Sequence, residues 1–362
     1  MTEVAPKRQY YPALDGLRGA AILLIIFYHN FGFINYFFFG WLGVDLFFVL
    51  SGFLITDILL KTKNDPHYLK NFFGRRMLRI LPIYYLVLII FLLIIPSFNE
   101  NLLNLNYYTT HQIWLWFYLQ NWLYIFKPPP PNSLSLSHLW SLAVEEQFYL
   151  IWPFIVLLIG KTKPLFFFMF SLLLLVIAGR FLIWTYHIEK IAYFNLYTFS
   201  RIDGICIGSM LALLRRFNFQ FLEKNTTVIV FTLAGLNFIF YFFNSTYSFS
   251  FPFLAIIGYT TFAVLFGILV NEAVSNNKVV TFFFNNSFMK FFGRISYGLY
   301  IFHWPIYLIL RNLTFNLPNH TNIFISITAT AVAVIVSWLS YEFFESKVLR
   351  LKRNFTYSVI KQ

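Results

Sequence analysis

Two ionisable residues in the first apolar segment, Arg18 and His29, have a spacing that allows both to serve one ligand. They are eleven residues apart, which is about three turns of an α-helix, so both side chains would lie on one helix face. Along the axis they would be separated by roughly 16 Å. An arginine binds anions, and an imidazole exchanges protons near neutral pH. This face suits an elongated ligand with a charged head and a reactive far end. The competing interpretation is an interfacial anchoring arginine and a packing histidine.

Two adjacent glutamates, Glu145 and Glu146, lie in the stretch HLWSLAVEEQFYLIWP. We expect them about six residues inside the outer end of a membrane span, at the same depth as His29. A carboxylate beside an imidazole fixes its tautomer and supports general-base catalysis. Adjacent helical residues point about 100° apart, so at most one glutamate is expected to face His29. The alternatives are a buried structural network with Arg201 or Asp203, or hydrated carboxylates near the surface.

An arginine cluster, Arg75, Arg76 and Arg79, lies where the third apolar segment begins. The forked guanidinium group binds phosphate well, so the cluster is a candidate anion site. The competing interpretation is a basic cytoplasmic loop that sets topology and contacts lipid headgroups.

Four further residues inside apolar segments are candidates for the acceptor side of a site: Asp45, Arg201, Asp203 and His303. Intramembrane ionisable residues are costly and often functional, although each of these can also be structural. Gly40, Gly43, Gly52 and Ser51 are more typical of close helix packing. No histidine or carboxylate group has metal-ligand spacing, so we expect no metal site.

The elements that must position these residues are transmembrane helices. Of 362 residues, 59% are hydrophobic and only 11% are charged, whereas ordinary soluble domains carry about 25% charge. This composition excludes a soluble enzyme and a disordered chain. Continuous apolar runs exclude a β-barrel. The single Cys206 excludes an internal disulfide. The fold class is therefore an all-α polytopic membrane bundle.

Ten apolar segments approach the roughly 20 residues that a membrane span needs. They lie near residues 14–34, 40–60, 78–96, 140–159, 164–186, 198–214, 226–243, 253–271, 295–313 and 322–343. Ten spans put both termini, and 22 of the 27 basic residues, on the cytoplasmic side. If residues 111–126 also crossed, most basic clusters would face outward, so we assign 97–139 to an outer loop with an interfacial or re-entrant element. The net charge of +13 then reflects cytoplasmic loops and not nucleic-acid binding.

The chain resembles the acyltransferase family 3 membrane proteins, which include O-antigen and other glycan O-acetyltransferases. The resemblance lies in six ordered stretches that span residues 10–345: LDGLRGAAILLIIFYH, GVDLFFVLSGFLI, RRMLRILPIYYL, HLWSLAVEEQFYLIWP, RIDGICIG and GRISYGLYIFHWPI. It implies one ten-helix acyltransferase domain over residues 1–362, with residues 346–362 as a short basic cytoplasmic tail.

The resemblance also implies an activity. Family members transfer an acyl group, usually acetyl, from cytoplasmic acyl-CoA to a hydroxyl of an extracytoplasmic glycan, with no permanently bound cofactor. Arg18, Arg76 and Arg79 would bind acyl-CoA. His29 would be the base or acyl carrier, aided by Glu145 or Glu146. The expected location is the bacterial cytoplasmic membrane. Lipopolysaccharide, capsule, exopolysaccharide, peptidoglycan and small glycosides all stay open as acceptors.

Some relatives carry a C-terminal SGNH-hydrolase-like domain that this sequence lacks, so we expect any second transfer step to be absent or supplied by another protein. Two other functions fit a ten-span protein: a transporter of glycan precursors, and a non-catalytic scaffold or sensor. Neither gives a reason for an arginine and a histidine on one face three turns apart.

Overall fold

The structure is a computed structural model, which describes residues 11–98, 102–187, 196, 198–217, 221–246, 253–314 and 322–357. Every regular element in these ranges is helical. Ten helices correspond to the ten apolar segments. They are α1 (Pro12–Asn30), α2 (Leu42–Thr62), α3 (Tyr68–Ile89), α4 (Trp140–Ile159), α5 (Thr162–His187), α6 (Asp203–Leu214), α7 (Phe221–Thr246), α8 (Tyr259–Val274), α9 (Ser287–Leu313) and α10 (Asn322–Ser340).

Seven helical segments of the described residues are long and apolar enough to cross a membrane. They contain α1 to α5, α8 and α10. Of the other three, α6 has only 12 residues, the apolar part of α7 is Thr226–Phe240, and α9 carries Lys290, Arg294 and Arg311. The multi-pass helical membrane architecture is confirmed. The count of ten spans and the cytoplasmic location of both termini stay predictions.

Helix α1, which carries Arg18 and His29, packs directly on both α2 and α9. Glycines bring these backbones together. A Cβ on Gly293 of α9 would lie 1.8 Å from the carbonyl oxygen of Asp15 in α1, and one on Gly19 would lie 2.1 Å from that of Met289. Helices α2 and α6 meet in the same way, since a Cβ on Gly52 would lie 2.1 Å from the Ile205 carbonyl oxygen. No larger residue fits at these positions without moving a helix.

The aromatic segment 111–126 does not span the membrane. It forms two short helices, Gln112–Trp116 and Gln120–Phe126, and seven helical residues extend only about 10 Å. The Tyr84 hydroxyl, in the middle of α3, donates a hydrogen bond to the Leu115 carbonyl oxygen at 2.8 Å. The Tyr84 ring stacks on Tyr118 with centroids 4.1 Å apart. The segment therefore folds into the helical bundle.

Candidate active site

Three cavities with shared walls run through the bundle between α1, α2, α3, α4 and α9. The first, the basic chamber, has a volume of about 570 Å³ and is lined by Arg18, Arg79, Lys290, Arg294 and Lys352, together with Asp15 and Glu345. The second, the central cavity, has a volume of about 100 Å³. The third, the histidine chamber, has a volume of about 320 Å³ and contains His29 and His138. The central cavity shares lining residues with each of the other two.

The walls show how the cavities join. Arg18, Arg79 and Tyr297 line both the basic chamber and the central cavity. Val44 and Tyr300 line both the central cavity and the histidine chamber. Arg18 lines the basic chamber and the central cavity, and His29 lines the histidine chamber, roughly 16 Å away along α1. Both residues therefore line the same series of adjoining cavities, three helical turns apart, as their spacing in the sequence predicts.

The three predicted anion-binding arginines, Arg18, Arg76 and Arg79, all line the central cavity and are partly buried. Within the described residues, none of them has a carboxylate oxygen within 4.0 Å. Glu145 and Glu146 line the same cavity, so the three arginines leave a formal surplus of one positive charge there, which favours the entry of an anion. Arg75, the neighbour in sequence, does not line these cavities. It donates hydrogen bonds to the carbonyl oxygens of Lys352 and Phe355.

Glu145 and Glu146 line the central cavity and not the histidine chamber. Ser51 donates a hydrogen bond to Oε1 of Glu145 at 2.7 Å, and its oxygen also lies 2.7 Å from the Tyr149 hydroxyl. Ser51 is therefore part of the site, and not only a small residue that permits close packing. The expectation that one glutamate faces His29 is wrong in this structure.

The reason lies in where α1 ends. The sequence suggests an apolar segment to residue 34, which would leave His29 about five residues inside the span. The helix instead ends at Asn30, so His29 lies in its last turn. Glu145 is the sixth residue of α4, which begins at Trp140. The glutamates are therefore about one turn deeper than His29.

The group that orients His29 is His303. Nδ1 of His29 lies 2.7 Å from Nε2 of His303. Nδ1 of His303 lies 3.0 Å from the Leu299 carbonyl oxygen and 2.8 Å from that of Tyr300. Carbonyl oxygens only accept, so this Nδ1 carries the hydrogen, and Nε2 of the neutral His303 ring is an acceptor. His29 must then donate from Nδ1. Its Nε2 keeps a lone pair, with no hydrogen-bond partner among the described residues.

His138 is the second histidine in the lining of the histidine chamber, and it is not among the site residues predicted from the sequence. Its ring centroid lies 5.4 Å from that of His303. Pro305 has no N–H to bond the Ile301 carbonyl four residues earlier in α9, and Nε2 of His138 donates to that carbonyl at 3.2 Å. The sequence does contain a signal for this contact. The proline of the Trp–Pro dipeptide after His303 leaves one helical carbonyl oxygen without its usual backbone donor.

The four predicted acceptor-side residues divide into two groups. His303 contacts His29 as described. Arg201 also lines the histidine chamber, and its Nη2 lies 2.9 Å from Oδ1 of Asp45. Asp203 instead pairs with Arg180 of α5 at 2.7 Å, and both side chains are fully buried. Arg180 is not among the site residues predicted from the sequence. Its Nε donates to the Ser200 carbonyl oxygen, which ties α5 to the short helix Thr198–Arg201 just before α6.

Aromatic rings enclose the charged groups of the histidine chamber. The Arg201 guanidinium lies 4.0 Å from the Tyr259 ring centroid and 5.6 Å from that of Trp140. Trp41 meets Tyr259 edge to face, and these rings line the chamber. The described residues contain no group of three or more His, Cys, Asp or Glu side chains suited to a metal ion. The arrangement can hold an anion at one end and offer an unprotonated imidazole nitrogen at the other.

A sequence profile for the acyltransferase domain of acyltransferase family 3 matches residues 11–342 of this chain. The chain belongs to this acyltransferase family. All residues that line the three cavities lie within the matched range except Glu345, Leu349 and Lys352 of the basic chamber.

Several relatives of this acyltransferase are bacterial proteins. It is 32% identical to the peptidoglycan O-acetyltransferase OatA of Listeria monocytogenes, over 94% of this chain and 56% of the relative. It is 30% identical to the putative peptidoglycan O-acetyltransferase YrhL of Bacillus subtilis, over 94% and 55%. It is 28% identical to a putative O-acetyltransferase of Staphylococcus aureus, over 94% and 57%. The chain spans a little over half the length of these relatives. No solved structure matches the acyltransferase.

Proposed function

We propose that this membrane acyltransferase moves an acetyl group from cytoplasmic acetyl-CoA to a hydroxyl of an envelope glycan on the other side of the membrane. The observation that supports it most is the series of cavities with shared lining residues that leads from Arg18, Arg76 and Arg79 to His29. Coenzyme A has a polyanionic nucleotide end and a long, narrow pantetheine arm that carries the thioester. The basic chamber, the central cavity and the histidine chamber follow one another in the same order as the nucleotide end, the arm and the thioester.

In this proposal the arginines hold the phosphate groups, and the arm passes between Phe47, Leu50 and Tyr300 of the central cavity. The thioester then reaches His29. Nε2 of His29 removes the proton from the acceptor hydroxyl, whose oxygen attacks the thioester carbonyl. The carbon–sulfur bond breaks, and the departing thiolate takes that proton from Nε2. Alternatively, Nε2 attacks the thioester carbonyl, the carbon–sulfur bond breaks, and CoA leaves as the thiolate. The acceptor hydroxyl then attacks the acetyl group on Nε2, the carbon–nitrogen bond breaks, and the thiolate takes the hydroxyl proton. Both routes need Nε2 unprotonated at the start.

His303 has the same role in both routes. When Nε2 of His29 gains a proton or an acetyl group, positive charge develops on the ring. The Nδ1 hydrogen bond to His303 disperses this charge, since His303 is itself held by two backbone carbonyl oxygens. This is the part that an acidic side chain takes in many catalytic sites.

For the acceptor we propose peptidoglycan or its precursor, because two of the relatives are named for peptidoglycan O-acetylation. The aromatic walls of the histidine chamber support a glycan, since aromatic rings offer flat apolar faces beside polar groups.

The sidedness of the reaction can be tested with oriented vesicles, because acetyl-CoA does not cross bilayers. Inverted vesicles, with the cytoplasmic face outward, should transfer label from external acetyl-CoA to glycan in the lumen. Right-side-out vesicles should transfer none until they are opened. Transfer by right-side-out vesicles alone would overturn the proposed direction, and glycan movement without CoA release would indicate a transporter.

A further inference from the structure

The C-terminal segment 351–357, here called the C-terminal strap, folds back onto the start of α3. The Asn71 side chain donates to the Thr356 carbonyl oxygen at 2.8 Å. Arg75 donates to the carbonyl oxygens of Lys352 and Phe355 at 3.2 and 3.0 Å. The Phe355 ring lies over Gly74, where a Cβ would approach it to 2.3 Å. The strap, which is part of the predicted basic tail 346–362, is therefore attached to α3.

This attachment puts Lys352 in the wall of the basic chamber. Lys290 and Arg294 of α9, Arg79 of α3 and Arg18 of α1 supply the other cationic side chains. Two carboxyl groups, Asp15 and Glu345, share the lining. Within the described residues, none of the five cations has a carboxylate oxygen within 4.0 Å. A cavity with a surplus of three formal positive charges is complementary to a polyanion.

We propose that the basic chamber binds the nucleotide phosphates of the acyl donor, and that Lys352 on the C-terminal strap is a phosphate-binding residue together with Lys290 and Arg294. This inference rests on the proposed function. To the proposed function it adds one more part of the donor site, the C-terminal strap, which lies outside the family match at residues 11–342. Arg75 is then a positioning residue, because it holds the strap and touches no part of the chamber.

Size and connection support a nucleotide. The chamber volume of about 570 Å³ lies within the usual range of small-molecule sites. Arg18, Arg79 and Tyr297 lead from it into the central cavity, where the pantetheine arm would continue. An anionic lipid headgroup offers the same phosphate chemistry without an arm that reaches His29.

The test compares Lys352→Gln with Lys347→Gln in the purified full-length protein, reconstituted in nanodiscs of zwitterionic lipid. Lys347 is exposed, lies five residues away and lines none of these cavities. Binding of CoA and of pantetheine, which lacks the nucleotide, is measured by calorimetry. We expect Lys352→Gln to raise the Kd for CoA roughly tenfold, the loss of one charge-assisted contact, with pantetheine binding unchanged. Lys347→Gln should bind both as the wild type does.

Arg75→Gln gives a second measurement, since it releases the strap that carries Lys352 and replaces no residue that lines the chamber. It should weaken CoA binding and leave pantetheine binding unchanged. Equal CoA affinity in all three variants would overturn the inference while the proposed function stands, provided that the wild type binds CoA. A wild type that binds no CoA would overturn both. Binding of labelled phosphatidylglycerol added to the nanodiscs is measured as well. If Lys352→Gln weakens that binding and leaves CoA binding unchanged, the chamber is a lipid site and the inference is wrong.

Discussion

Nδ1 of His29 lies 2.7 Å from Nε2 of His303, and the far nitrogen of His303 is held by two backbone carbonyl oxygens. This chain of hydrogen bonds assigns a tautomer to each ring without any carboxylate. It also leaves Nε2 of His29 unprotonated, so that this atom can act as a base in the histidine chamber. The orientation of His29, the proposed catalytic histidine, is thus set by the backbone of α9.

The first prediction separates this positioning role from mere packing. His303→Gln keeps an acceptor oxygen near the place of Nε2, whereas His303→Leu removes it. We expect His303→Leu to lower kcat for acetyl transfer by about 100-fold or more, because His29 is then free to adopt the tautomer with Nε2 protonated. His303→Gln should recover much of the rate.

The KM for acetyl-CoA should stay unchanged in both variants, because His303 is remote from the arginines. Equal rates for His303→Leu and His303→Gln, at equal expression, would leave His303 with packing alone.

The second prediction concerns the arginines of the central cavity. Arg76→Gln removes an unpaired guanidinium group, and the KM for acetyl-CoA should rise by about tenfold with little change in kcat. Lys70→Gln is the matched control, because Lys70 is an exposed cation on the same helix. If the two variants shift KM equally, Arg76 contributes only to the general charge of this face.

The sequence predicted the all-helical class, the positions of most helices, and the common face of Arg18 and His29. Helices α3 and α9 begin at Tyr68 and Ser287, ten and eight residues before the predicted segments. The predicted features depend on hydrophobic content and helical periodicity, which are local. It did not predict the partner of His29, because that depends on α1 ending at Asn30 and on which face of α9 meets it. The Arg180–Asp203 pair was missed for a similar reason. An arginine near a predicted span end looks exposed until the position of α6 is known.

The third prediction concerns this pair. Asp203→Asn leaves the fully buried Arg180 without its counter-ion, and such losses destabilise by about 3–5 kcal/mol. The melting temperature of the purified protein should fall markedly. Asp57→Asn breaks a more exposed pair with Lys61, worth about 0.3–0.5 kcal/mol, and should change little. Equal melting temperatures would argue against a structural role for Asp203.

The fourth prediction tests the approach of α1 to α9. Gly293→Ala would place a Cβ 1.8 Å from the Asp15 carbonyl oxygen, so the helices must separate. We expect a loss of about 1–3 kcal/mol in stability and lower activity, because Arg18 and His29 move with α1. Gly179→Ala in α5 meets nothing within 4 Å and should leave melting temperature and activity unchanged. A stable, active Gly293→Ala protein would show that the packing tolerates the shift.

The most direct test of the account is acetyl transfer by membranes that carry the wild type, His29→Ala, or His67→Ala. His67 is an exposed histidine outside the cavities and serves as the matched control. Acetyl-labelled acetyl-CoA is supplied with envelope glycan, and label is followed into alkali-labile ester. The account predicts ester from the wild type and His67→Ala and none from His29→Ala at equal expression. Ester formation by His29→Ala at the wild-type rate would contradict it.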